Sequence, residues 1–161
     1  MSLAIRAAII LVTSSLIGIG LNLASSKPLP WIYEPSRQVE VAGIEVPLID
    51  EKEARKLFGE SGTVFVDTRN EEDYSKGHIE GAVFLTPHDN LEERFISVEP
   101  FLPQEPHLIL YCYGPQCDMA EEVARFLAQL GYRKMTIMTA GYRAWEEAGY
   151  PVEKRRRTDG E

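Results

Sequence analysis

Leu108-Ile109-Leu110-Tyr111-Cys112-Tyr113-Gly114-Pro115-Gln116-Cys117-Asp118 opens as an apolar run of strand type and stops at Cys112. Gly114-Pro115 is a turn signal. After it, Met119, Val123, Phe126, Leu127 and Leu130 recur at helical spacing, with Glu121, Glu122, Arg125 and Gln129 between them. Cys112 is therefore expected at the carboxyl end of a strand, with a loop leading into a helix N-terminus. In an open α/β sheet that end is where ligands bind, and loop amides there favour an anion. A thiol in such a place is expected to ionise easily. The plainer reading is that Cys112 is a small core residue. The second cysteine, Cys117, across the Gly-Pro turn favours a functional pair.

Outward from this stretch, strand and helix patterns alternate. Ile44 to Ile49 reads as a strand, and Asp50 with Glu53 forms a capping pattern for a helix carrying Ala54, Leu57 and Phe58. Thr63 to Val66 is a buried strand followed by Asp67-Thr68-Arg69, and Asn70 caps a short acidic helix through Lys76. Gly77 to Gly81 reads as a turn and Ala82 to Leu85 as a strand. A loose helix spans residues 88 to 102, ended by Pro103 and Pro106. Gly131 closes the helix that follows Cys112. Lys134 to Met138 is the last expected strand, and Gly141 to Gly149 a last helix with Trp145 inward. Strands separated by helices predict a parallel α/β sheet of about five strands.

Residues 7 to 24 form a separate element, uncharged and rich in Ile, Leu, Val, Ala and Gly. As a helix they span about 27 Å, close to the thickness of a bilayer core. Arg6 precedes them in the flank 1–6; Lys27, Pro28 and Pro30 follow, and Trp31 and Tyr33 suit a membrane interface. The rival reading is a cleaved signal peptide, against which stand the length of the segment and the poor cleavage site Asn22-Leu23-Ala24. The expectation is a single-pass anchor in the inner membrane with the domain on the periplasmic side. Charges on the two flanks discriminate the sides poorly. Residues 25 to 43, with three prolines, read as a linker, and the globular domain is expected over residues 44 to 152.

Across 161 residues, 17 Lys and Arg face 25 Asp and Glu for a net charge of −8, which speaks against a nucleic-acid partner. The basic run Lys154 to Arg157, in the tail 153–161, is a local exception suited to solvent or to acidic lipid. Two cysteines cannot make a disulfide framework, and with three scattered histidines they do not suggest a metal site.

Three segments together carry a resemblance. Val66-Asp67-Thr68-Arg69 with Tyr74 and Gly77-His78-Ile79-Glu80-Gly81-Ala82 resembles the first signature of rhodanese-like sulfurtransferase domains. Tyr111-Cys112 with its loop and helix is similar to their active-site segment, and Ala140-Gly141-Tyr142-Arg143-Ala144-Trp145 to their closing motif. The resemblance implies that Cys112 attacks the outer sulfur of a sulfane donor, becomes a persulfide held by loop amides, and passes sulfur to a thiol acceptor, small molecule or protein. It implies no metal and no organic cofactor.

The loop departs from the family pattern. Members often carry arginine or lysine there, whereas Tyr113, Gly114, Pro115 and Gln116 are neutral and Cys117 stands where an arginine is common. Pro115 lacks an N–H. Asp118 suits the helix dipole but disfavours a nearby thiolate, and a small dianion such as thiosulfate is expected to bind poorly. The nearer match is a branch with a Cys-x-Gly-Pro-x-Cys loop. Asp67 and Arg69 are expected to pair and support the loop, and His78 to be a satisfied turn residue. A phosphatase is set aside because Asp118 holds the position where that chemistry wants an arginine. The leading expectation is a membrane-anchored sulfurtransferase using Cys112. The alternatives are a dithiol module cycling Cys112 and Cys117, and a non-catalytic binding domain. Within the first, Cys117 either resolves the Cys112 persulfide or only packs under the helix.

Overall fold

The computed structural model describes residues 2–25 and 37–154. The chain divides after Pro35 into two units. The first holds α1 (Leu3–Ala24), capped by the Ser2 side chain, which accepts from the Ile5 N–H. It is long and apolar enough to cross a membrane. It begins ahead of the expected segment and includes Arg6. Two of its hydroxyls are satisfied within the helix, Thr13 donating to Ile9 O at 2.9 Å and Ser14 to Leu11 O at 3.1 Å. Trp31, Tyr33, the linker prolines and Arg155 to Arg157 lie outside the described residues.

The second unit begins earlier than expected. Gln38–Val41, assigned above to the linker, is strand β1, and it pairs antiparallel with β2 (Ile44–Ile49). Their two-residue connection, Ala42-Gly43, has positive φ at both positions (50° and 78°), the backbone of a tight hairpin. Then follow α2 (Glu51–Leu57), β3 (Thr63–Asp67), α3 (Glu71–Lys76), β4 (His78–Ile79) and β5 (Val83–Phe84). Next come α4 (Leu91–Val98), continued by a 3-10 turn over Glu99–Phe101, β6 (His107–Tyr111) and α5 (Met119–Gln129). The last elements are β7 (Met135–Met138), α6 (Gly141–Glu147) and β8 (Val152–Glu153).

The main sheet runs β1-β2-β7-β6-β3-β5. The five strands from β2 to β5 are mutually parallel, as alternating strands and helices predict, and β1 adds a sixth, antiparallel edge. Residues Gly77 to Gly81 do more than turn, because β4 pairs antiparallel with β8 in a small second sheet and so ties residues 152 and 153 to the domain. The capping residues act as their side chains dictate. Asp50 and Glu53 form a complete capping box on α2, and Asn70 accepts from the Asp73 N–H to start α3.

The period-two alternation of β6 sorts the core into two layers. Leu108, Leu110 and Cys112 pack with Ala120, Val123, Ala124 and Leu127 of α5 and Phe95 of α4. Ile109 and Tyr111 point the other way, into a layer with Phe65, Ala54 of α2, and Tyr142 and Trp145 of α6. Trp145 is fully buried. Its ring centroid lies 5.3 Å from Phe65, 5.6 Å from Phe58 and 5.0 Å from Tyr150, and its indole N–H donates to Pro151 O at 2.9 Å. Trp145→Ala is expected to cost about 3–5 kcal/mol in denaturant unfolding monitored by circular dichroism. A loss below about 1 kcal/mol would show that this ring does not anchor α6.

Candidate functional site

Cys112 directly follows β6, whose neighbours in the sheet are β7 and β3. Its position is held through the peptides on either side. Tyr111 O accepts from the Thr68 N–H at 3.0 Å and the Thr68 hydroxyl at 2.9 Å. Cys112 O accepts from the Tyr142 N–H at 2.8 Å. The side chain is 3% exposed. Within the loop, the Cys117 N–H donates to Gly114 O at 3.2 Å and so closes a turn. With Pro115 lacking an N–H, two loop positions offer no amide to an anion. The cradle is poorer than loop position alone predicts.

Cys112 and Cys117 are joined in a disulfide with their Cα atoms 6.2 Å apart, within the ordinary range for such a bridge. No rearrangement of the loop is needed to bring the thiols together. Cys117 also packs, half-buried, against the α5 layer of the core, so the packing and pairing readings of this residue are compatible. In this state Cys112 is not a thiolate, and its nucleophilicity depends on opening the bridge.

The loop forms one wall of an open cleft of about 770 Å³, completed by Asp118, Met119 and Glu122 of the following helix and by Ala140, Arg143, Ala144 and Glu147 around α6. Three carboxylates and one guanidinium line it, and Arg143 Nε already donates to Glu147 at 2.9 Å. The rim is acidic, which strengthens the expectation that small dianions are disfavoured there. Residues Glu122, Arg143 and Glu147 were not singled out from sequence. Only Arg143, inside the Ala140–Trp145 motif, carried a signal.

Behind the loop lies a buried charge network. Arg69 Nη2 donates to Asp67 Oδ2 at 2.6 Å and to Gly77 O at 2.7 Å, and Arg69 Nε donates to Asp67 Oδ1 at 3.0 Å. The Tyr111 hydroxyl donates to Asp67 Oδ2 at 2.8 Å and accepts from the Ile79 N–H at 3.1 Å. The Arg69 guanidinium stacks 3.9 Å from the centroid of the Tyr142 ring. Burial pulls the Arg69 pKa down, but the hydrogen bonds and charge of Asp67 outweigh it and leave the pKa raised. Burial, and then the Asp67 carboxylate, push the Tyr111 phenol well above its usual range, so it remains a donor. Burial and then Glu146 push Tyr142 up to about 12. Asp67 and Arg69 thus pair as expected, and they hold the two tyrosines that flank the Cys112 peptide. His78 is satisfied, its ring nitrogens 2.9 Å from Tyr74 O and 3.1 Å from Glu153 Oε2.

Two supports escaped the sequence reading. The Tyr113 hydroxyl donates to Asp73 at 2.7 Å and ties the loop to α3. Gly141, at φ 72°, lies against the Tyr113 carbonyl and the Gly114 nitrogen, and a Cβ there would fall well inside van der Waals contact with both. Its signal was the Ala-Gly-Tyr motif, whose glycine is explained by this approach.

A sequence model of the Rhodanese-like domain matches residues 50–148. The chain is 29% identical over 128 residues to the rhodanese-like domain-containing protein 17 of Arabidopsis thaliana, covering 74% of this chain and 80% of that protein. It is 27% identical over 94 residues to the thiosulfate sulfurtransferase GlpE of Haemophilus influenzae, covering 58% of this chain and 83% of that one. Among solved structures, the BH2092 protein from Bacillus halodurans superposes with a TM-score of 0.57 at 28% identity, covering 66% of this chain and 76% of that chain.

Asp67→Ala leaves the Arg69 guanidinium buried among rings and is expected to destabilise the domain by about 3–5 kcal/mol. Adding Arg69→Leu should recover part of that loss. Equal unfolding midpoints for Asp67→Ala and the parent would show that the pair does not support the site.

Proposed function

The chain belongs to the Rhodanese-like domain family, and from that premise we propose that it is a sulfurtransferase that moves sulfane sulfur through a persulfide on Cys112. The observation that carries the reading is the seat of Cys112. It lies at the carboxyl end of a central parallel strand, with its peptide clamped from both sides, at the head of a loop that opens into a cleft. The similarity to a thiosulfate sulfurtransferase supports the same reaction class.

The reaction starts from the reduced pair. The Cys112 thiolate attacks the outer sulfur of a sulfane donor, the donor's sulfur–sulfur bond breaks, and its electron pair leaves with the remaining fragment. The terminal sulfur then passes to an acceptor thiol and Cys112 is regenerated. Asp118, Glu122 and Glu147 around the cleft favour donors of low negative charge over dianions. Tyr113, Gly114, Pro115 and Gln116 shape the approach, and the Asp67–Arg69 pair acts through Tyr111 and Tyr142. The disulfide supports a second reading, a dithiol module that exchanges electrons without carrying sulfur.

The apolar helix supports attachment to a membrane; the reading we propose is the inner membrane with the domain on the periplasmic side, where the thiol pair can oxidise. Membrane attachment predicts that the protein sediments with membranes through alkaline carbonate washing and that removal of residues 1–24 releases it. A soluble mature protein beginning after Ala24 would instead identify the segment as a signal peptide.

For the reaction, reduced protein mixed with benzenethiosulfonate should release benzenesulfinate as Cys112 takes the outer sulfur. Cys112→Ser should slow that release by on the order of 10³-fold or more. Sulfinate release unaffected by Cys112→Ser would sink the assignment. Disulfide exchange without any sulfinate from the parent would favour the dithiol module.

A further inference from the structure

We propose that Cys117 makes this domain a persulfide reductase, releasing the carried sulfur as hydrosulfide, and that the Cys112–Cys117 disulfide is the product state of that step. The inference rests on the sulfur-transfer reading above and extends it from carrying sulfur to reducing it.

The loop is badly equipped to keep a persulfide. A persulfide at Cys112 is an anion, and a lasting one needs amides or cations around it. Here Pro115 has no N–H and the Cys117 N–H is spent on Gly114 O. The cleft carries Asp118, Glu122 and Glu147 against the single cation Arg143, itself engaged by Glu147. These charges disfavour a lasting anion in the cleft.

The same loop is well equipped to resolve a persulfide. The turn closed by Cys117 N–H and Gly114 O folds Cys117 back over Cys112. The Cα separation of 6.2 Å puts the Cys117 sulfur within bonding reach of Cys112 Sγ, the inner sulfur, without moving the backbone. Gly141 backs Tyr113 and Gly114 from the other side and keeps that turn in place.

The step balances. The Cys117 thiolate attacks Cys112 Sγ and a new Cys112–Cys117 bond forms. The Cys112–outer sulfur bond breaks, and the outer sulfur leaves with the electron pair and one proton as hydrosulfide. The two cysteines are oxidised by two electrons and the sulfane sulfur is reduced by two. A dithiol reductant, small or protein-borne, then restores both thiols and becomes a disulfide itself. It attacks the Cys117 sulfur, because Cys117 lines the cleft while Cys112 is 3% exposed. That direction releases Cys112 as the thiolate for the next cycle.

The test uses the full chain in detergent micelles, reduced with dithiothreitol, freed of it under anaerobic conditions, and mixed with an equivalent of benzenethiosulfonate. The parent should release hydrosulfide and benzenesulfinate in equal amounts and lose two hydrogens in intact mass. In Cys117→Ser, and independently in Cys117→Ala, sulfinate release should persist while hydrosulfide release falls at least about tenfold, leaving one extra sulfur on Cys112. Sulfinate without hydrosulfide from the parent, an extra sulfur retained on Cys117, or hydrosulfide from both variants at the parent rate would overturn the reductase step alone. Absence of sulfinate from the parent would overturn the sulfur-transfer reading, and this inference with it.

Discussion

The buried pair of Asp67 and Arg69 is the constraint on which the site depends. Two charges taken from water are tolerated when they pair closely and further hydrogen bonds replace the lost hydration. Here the carboxylate accepts from Arg69 and from Tyr111, and the guanidinium donates to Gly77 O and stacks on Tyr142. Among the described residues, no buried side-chain nitrogen or oxygen lacks a hydrogen-bond partner. The pair therefore ties together the end of β3, the start of β4, the last residue of β6 and the first turn of α6. Those are the segments that meet around the Cys112 peptide.

The alternation of β6 does the rest. Tyr111 turns toward the charged layer and Cys112 toward the α5 layer, so one residue anchors the strand end and the next starts the loop that borders the cleft. A side-chain period of two places them on opposite faces, and a register slip by one would turn Tyr111 into the α5 layer and take it from Asp67. The acidic rim and the second cysteine then set this loop apart from one built to retain an anion.

Much of this was legible because it is local. The capping box at Asp50, the cap at Asn70, the strand from Ile44 and the helix after the loop are written in contiguous residues. Strand β1 was not, because its hairpin turn uses Ala42 at positive φ, where asparagine or aspartate would have been the signal. The β4–β8 pairing joins residues more than seventy apart in two-residue strands, too short for any periodicity. The bond from Tyr111 to Asp67 and the contact of Gly141 with the loop are likewise products of topology. The cysteine pair was visible as spacing, but its closeness depends on a turn that only the folded loop reveals.

Gly141 has one further consequence. Its α-carbon presses against the loop backbone with no space for even a methyl group. The loop is therefore bounded on a side where it cannot bulge. Side chains at Pro115 and Gln116 are open to substitution, since they face solvent or the cleft. An added residue between the cysteines finds no room against α6 and must bulge toward the cleft, which changes how the two sulfurs meet. The contact thus constrains the length of the interval between the two sulfurs more than the identity of its exposed side chains.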